Sequence, residues 1–255
     1  MPSNKEFIEL NNYYPRYLIR KWNVLRLMKK YIPKKGSLID VGCGKGSFGL
    51  YMHKLGYDVD LLDFTDKIDT SNYPINYYNT HFLSFVSEKK YDIATSFEVI
   101  EHIKEERIFF EKLVQLVKPG GYIILSIPSK MKLWNESDEL AGHYRRYEKK
   151  DLEQLAEKFH LQVLEIISYG FPFDRILRIF FTKALIKKSG ALKGKPKESL
   201  SSLSGMGYAA NWIEKILKGL VWLSKVCFYI SIPFNRFDFS DGYIIILKNP
   251  IRSTM

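Results

Sequence analysis

Apolar and charged positions alternate with a helical period over residues 13–32. Tyr17, Leu18, Trp22, Leu25, Leu27 and Met28 supply the apolar positions, while Arg16, Arg20, Lys21, Arg26, Lys29 and Lys30 supply charge. The pattern predicts an amphipathic basic helix closed by Pro33 and Gly36. The apolar run at 37–41 predicts a buried strand. A helix is expected over 47–54, with Ser47 as N-cap and Gly56 at its end. Further strands are expected at 57–62, ending at Asp63, and at 75–79, 91–96, 122–127, 161–168 and 242–247. Helices are expected near 101–117 and 148–159, and Pro119-Gly120-Gly121 reads as a turn.

Strands alternating with helices predict an α/β fold, with a Rossmann-like, seven-stranded, mostly parallel sheet covered by helices on both faces. The chain divides into an N-terminal helical segment (1–36), the core (37–170), a helical basic insertion (171–239) and the last strand with its tail (240–255). The insertion opens with Phe171-Pro172-Phe173 and a basic apolar stretch, 176–188. A Gly/Lys/Ser-rich segment at 189–207 is expected to be mobile, and a helix follows over 209–230. On a helical wheel Trp212, Ile213, Ile216, Leu220, Leu223, Val226, Cys227 and Ile230 share one face, with Glu214, Lys215, Lys218 and Lys225 opposite. That stripe fits a lid packed on the core or an interfacial membrane helix.

The 255 residues carry a net charge of +11. Such an excess suits an anionic substrate, an anionic membrane surface or nucleic acid. Cys43 and Cys227 are too few for a disulfide scaffold, which points to a reducing, cytoplasmic setting. The polar N-terminus has no signal-peptide core, and no uncharged apolar run reaches the ~20 residues a spanning helix needs.

Candidate chemistry begins at Asp40-Val41-Gly42-Cys43-Gly44-Lys45-Gly46, directly after the first strand. Alternate glycines let the chain turn sharply and let a ligand approach, and the helix behind offers free N–H groups. In a Rossmann-like sheet this turn receives an adenosine ligand. Ser47 breaks the dinucleotide G-x-G-x-x-G pattern, and Lys45 is followed by Gly46 rather than Ser or Thr, which breaks the P-loop pattern. Asp63 ends the second strand, where a carboxylate can accept from both ribose hydroxyls. Asp60 competes but sits inside the strand.

Residues 38–48 resemble the first motif of class I S-adenosylmethionine-dependent methyltransferases. Residues 91–103 resemble that superfamily's fourth-strand motif, and 117–128 its following strand. The resemblance covers roughly 35–170 and extends to the ubiquinone O-methyltransferase-like group. It implies S-adenosylmethionine as cofactor. It also implies that Gly42, Cys43, Gly44 and Gly46 line the cofactor, with Phe97 and Glu98 beside it, that Asp40 orders the loop or meets the amino-acid end, and that Asp63 holds the ribose. The family often has an acid after the third strand. Here Asn79 stands in that stretch and takes the adenine role.

Methyl transfer to a hydroxyl or amine benefits from a base, and His102 is the first candidate, with His143 second. A helix beginning near Glu98 would put Glu98, Glu101 and His102 on one face at i, i+3 and i+4. The same Glu-x-x-Glu-His resembles metal-dependent ubiquinone-pathway and small-RNA methyltransferases, which implies a divalent metal such as magnesium on Glu98, Glu101, His102 and His143. Helix capping and pocket shaping explain these residues equally well. Tyr144, Arg145, Arg146 and Tyr147 are expected over the site, where arginine suits a carboxylate or phosphate. Arg175, Arg178, Lys183, Lys187, Lys188, Lys193, Lys195 and Lys197 tilt the insertion toward an anionic surface, peripheral on the inner face of a membrane. The leading expectation is O-methylation of a small-molecule, sugar or lipid-linked acceptor. RNA 2′-O-methylation and a non-catalytic cofactor-binding module are the competing readings. The sequence does not set the oligomeric state.

Overall fold

The structure, a computed structural model, describes residues 15–64, 68, 70–173, 221–239 and 241–251. The expected segments at 176–188 and 189–207, their basic residues and the first half of the 209–230 helix lie outside the described residues.

Seven strands form one sheet in the order β3-β2-β1-β4-β5-β7-β6. They are β1 (Ser37–Val41), β2 (Asp58–Asp63), β3 (Asn76–Asn79), β4 (Tyr91–Phe97), β5 (Val117–Pro128), β6 (Gln162–Tyr169) and β7 (Gly242–Lys248). β1 to β5 pair in parallel, and β7 enters antiparallel between β5 and β6. The described helices are α1 (Pro15–Tyr31), α2 (Ser47–Lys54), α3 (Glu106–Leu116), α4 (Glu136–Ala141), α5 (Lys149–Lys158) and α6 (Val221–Ser231).

The central strands are buried on both sides, as their continuous apolar runs require. Ile39, Ile123, Leu125 and Ile245 face Phe109, Phe110 and Leu113 of α3 and Leu152 of α5. Leu38, Ile124, Ile244 and Ile246 face Ile19, Val24 and Leu27 of α1, Phe48 and Met52 of α2 and Phe228 of α6. The strand order reverses between β1 and β4, and beyond their carboxyl ends lies the crevice where α/β sheets bind ligands.

Four local expectations change. Pro119-Gly120-Gly121 does not end an element. It is a bulge inside β5, between the pairs Tyr91↔Val117 and Ile93↔Tyr122. Ser47 is the first residue of α2 rather than its cap. Gly46, at φ 73°, holds the cap position, and the Ser47 hydroxyl instead meets the Tyr17 hydroxyl at 2.7 Å. On α1 three of the charged positions turn inward: Lys21 is buried, and Arg16 and Arg20 reach Glu98. On α6 the buried stripe is Ser224, Phe228 and Ser231, while Leu223, Val226 and Ile230 are exposed. α6 packs against α1, where Phe228 meets Trp22 with ring centroids 5.5 Å apart.

Candidate active site

The glycine loop leaves β1 in left-handed backbone, with φ of 70°, 55° and 73° at Gly42, Gly44 and Gly46. Gly42 and Cys43 donate to the Leu62 carbonyl, at 2.8 and 3.1 Å, which ties the loop to β2. A Cβ on Gly42 would collide with Val99, and one on Gly46 would lie 2.9 Å from Leu61. Among the described residues, a Cβ on Gly44 would meet nothing within 4 Å. Toward these residues Gly44 presents bare backbone, the surface an adenosine ligand needs. Asp63, at the end of β2, accepts the Gly44 N–H at 2.8 Å. Its rival Asp60 is fully buried and held by the Tyr91 hydroxyl at 2.7 Å and Lys89 at 3.0 Å, a structural role. Asn79 is exposed and registers beside Asp63 on β3. Cys43 is a free cysteine whose thiol is pushed up by burial.

Asp40 is buried on β1 and accepts from the Thr95 hydroxyl at 2.7 Å. Burial pushes its carboxyl up to about 7, the nearby Asp63 adds to the rise, and Thr95, Arg20 and the Gly49 N–H oppose it. The folded chain thus keeps a proton on Asp40 that the unfolded chain releases near pH 4. Stability from this group is full below pH ~4, declines as pH rises toward ~7 and is flat above. Asp40→Asn is expected to remove that decline. Urea unfolding at pH 5 and 7.5 should show wild type losing roughly 2–4 kcal/mol more than the variant between the two.

The Glu98–His102 segment is not the expected helix. Glu98 sits at φ 57°, its N–H bound to the Ser126 carbonyl at 2.8 Å. A left-handed residue pinned to β5 cannot start a helix, so only a 3-10 turn forms at Ile100–His102 and α3 begins at Glu106. The i, i+3, i+4 face is lost and the side chains separate. Glu98 accepts from Arg16 at 3.3 Å, Ser126 at 3.2 Å and Tyr169 at 3.3 Å, with Arg20 at 3.5 Å. Burial works against its charge, but Arg16 and Arg20, with His143 and Ser126, hold the carboxyl down at about 2. Phe97, just before it, packs edge-on against Phe48 with ring centroids 4.8 Å apart.

Glu101, His102 and His143 do converge, with ligand atoms within 4.8 Å of one another. Among the described residues, neither Glu101 carboxylate oxygen has a hydrogen-bond partner, nor has His102 Nδ1. Burial, then Glu98, pushes the Glu101 carboxyl well up, while burial and His143 push His102 down to about 4. The two imidazoles meet edge-to-face with centroids 4.6 Å apart. These unsatisfied buried atoms fit a divalent cation, and Glu98, engaged by arginines, stands outside the set.

His143 is anchored from behind by Asp138, with 2.9 Å between Nδ1 and Oδ1. Burial opposes charge on Asp138, but His143, Arg146 and the Asn135 N–H hold it at about 2. It is therefore a carboxylate that accepts from His143 Nδ1, which leaves Nε2 facing away from Asp138. Arg146 grips both Asp138 oxygens, at 2.8 and 2.9 Å, and donates to the Ser129 carbonyl at 3.0 Å. Arg145 and Tyr147 both bind Glu106, at 3.0 and 2.8 Å. This stretch braces the site internally, against the expectation that its arginines receive substrate. Sequence reading missed Arg16, Arg20 and Asp138. The first two share the i, i+4 spacing of one helix face, and Asp138 completes a legible capping box with Asn135.

Residues 11–166 match the family model described as a methyltransferase domain. Over 106 residues the chain is 33% identical to a ubiquinone biosynthesis O-methyltransferase of Rickettsia canadensis, covering 38% of this chain and 45% of that protein. The match thus spans less than half the length of that relative. Among solved structures, the [4+2]-cyclase SpnF superposes with a TM-score of 0.59 at 11% identity, covering 91% of this chain and 81% of that one. The N-methyltransferase NodS of Bradyrhizobium japonicum, in complex with S-adenosyl-L-homocysteine, superposes with a TM-score of 0.51 at 13% identity, covering 91% and 86%. At such identities these likenesses concern the fold alone. The chain belongs to the methyltransferase domain family and has the seven-stranded fold of the class I S-adenosylmethionine-dependent enzymes.

Proposed function

We propose that the protein methylates an oxygen of a small amphiphilic acceptor, with His143 as the base. The observation that carries this reading is the His143 imidazole, oriented by Asp138 and set beside Glu101 and His102 at the carboxyl edge of the sheet. When bound, S-adenosylmethionine supplies an electrophilic sulfonium methyl. Gly42, Cys43, Gly44 and Gly46 cradle it, Asp63 and Asn79 serve its adenosine, and Asp40, Phe97 and Glu98 line its amino-acid end. Arg16 and Arg20 suit its carboxylate. His143 Nε2 takes the proton that the acceptor's hydroxyl gives up as its oxygen is methylated. His102, held down at about 4, is a weak base.

The unpartnered Glu101 oxygens favour a second reading, in which Glu101, His102 and His143 hold a metal and His143 is a ligand. Two imidazoles and one carboxylate match a transition ion better than magnesium, which prefers oxygen donors. The oxygen acceptor is supported by the curated relative's name, and the amphiphilic character by the exposed Trp222, Leu223, Tyr229 and Ile230 of α6. The same face supports peripheral contact with an anionic membrane surface, since no helix among the described residues is long and apolar enough to cross one.

Labelled methyl groups supplied to the protein and a cell lysate test all of this together. Label is expected in the small-molecule or lipid fraction, with transfer unaffected by chelator. Chelator-sensitive transfer restored by zinc or manganese would establish the metal reading instead. Label in RNA would overturn the acceptor class, and cofactor binding without any transfer would leave a non-catalytic module.

A further inference from the structure

The ends of β5 and β6 and the start of β7 lie on the same edge of the sheet as the glycine loop, because β7 runs antiparallel to its neighbours. There a cavity of about 380 Å³ is lined by Lys130, Lys132, Phe171, Asp238 and Phe239. Its size falls within the roughly 300–1,000 Å³ of small-molecule sites. One wall is aromatic. Phe171 packs against Phe234 and Phe239 with centroids 5.5 and 5.4 Å apart, and Phe237 stacks on Phe239 at 5.7 Å.

The other wall is cationic. Lys130 is buried in left-handed backbone at φ 62°, a conformation that costs a non-glycine residue energy and clusters at functional sites. Its Nζ donates to the Asp238 carbonyl at 2.7 Å and pairs with the Asp238 carboxylate at 3.0 Å, which the Tyr243 hydroxyl also reaches at 2.7 Å. Asp238 is thereby paired, and the exposed Lys132 adds a second lysine to the described lining residues.

Both walls connect to the chemistry already described. Tyr169, two residues before Phe171, donates to Glu98 at 3.3 Å. Ser129, beside Lys130, accepts from the Arg146 that holds Asp138 and so His143.

We propose that this cavity is the acceptor pocket and that it selects a flat apolar body carrying an anionic group, the aromatic wall taking the body and Lys132 the charge. The proposal rests on the methyltransferase reading above. A pair of matched probes, 2-naphthoate and the uncharged 2-naphthamide, tests it on the full chain by NMR titration. Naphthoate is expected to bind more tightly than naphthamide. Phe239→Ser should weaken both by about fivefold, and Lys132→Glu should weaken naphthoate alone by about fivefold. Both side chains are exposed, so the fold should tolerate the changes. S-adenosylhomocysteine titrated into the same samples reads the cofactor site independently. Naphthoate binding that ignores both substitutions while S-adenosylhomocysteine still binds overturns the pocket alone. Wild-type protein that fails to bind S-adenosylhomocysteine overturns the methyltransferase reading and the pocket with it.

Discussion

A Gly44→Ala variant is expected to bind S-adenosylhomocysteine at least roughly tenfold more weakly, a loss of about 1.4 kcal/mol, while remaining folded. At φ 55° the new methyl strains the backbone by about 1–2 kcal/mol, but it meets no atom of the described residues within 4 Å. For a chain of this size that strain corresponds to a Tm lower by about 2–8 °C. The methyl points into the space above the loop that a bound ligand would fill. Gly42→Ala makes the contrast. It carries the same strain at φ 70°, and its methyl also strikes Val99. Overpacking adds about 1–3 kcal/mol, and moving Val99 disturbs the turn that places Glu101 and His102. Gly42→Ala should therefore lose both stability and binding, and Gly44→Ala mainly binding. Calorimetric titration and thermal melts of the two variants separate these effects. A Gly44→Ala protein that binds like wild type would mean that the ligand does not cross this loop.

Such contrasts depend on how side chains face one another, the level at which sequence reading thins out. Apolar runs between turn and helix signals located all seven strands, the central ones because strands buried on both faces must be continuously apolar. The glycine spacing and Asp63 were equally legible, since backbone turns are encoded locally. The partners of Arg16 and Arg20 were not. A helical wheel shows that they share a face, but Glu98 lies 82 residues from Arg16 and its left-handed turn is set by Ser126 on β5. The apolar stripe of α6 fitted either a packed lid or a membrane-facing helix, and the pattern alone did not show which side packs: Ser224, Phe228 and Ser231 are buried while Leu223, Val226 and Ile230 are exposed. In the 129–148 stretch, arginines that suit an anion in isolation found carboxylates of their own chain, the buried Asp138 and the half-buried Glu106.

Replacement of His143 by alanine is expected to lower kcat by roughly 10²–10⁴-fold and to leave S-adenosylhomocysteine affinity unchanged, because no loop residue depends on the imidazole. The fold should survive, since His143 is one of several partners of Asp138. Asp138→Asn separates orientation from proton transfer. It keeps the shape but removes the charge that fixes the Nδ1–H tautomer, and it leaves the buried Arg146 guanidinium without its counter-ion. Breaking a buried pair from one side costs about 3–5 kcal/mol. Asp138→Asn should thus lower both kcat and Tm, whereas His143→Ala lowers kcat alone. If His143 acts as base, kcat of wild type should rise with pH, and that limb should vanish in His143→Ala. If the imidazole were a metal ligand, the variant would instead lose bound metal, read directly by elemental analysis of the purified protein. A His143→Ala enzyme with wild-type kcat, pH profile and metal content would remove this residue from the chemistry and return the role of base to His102.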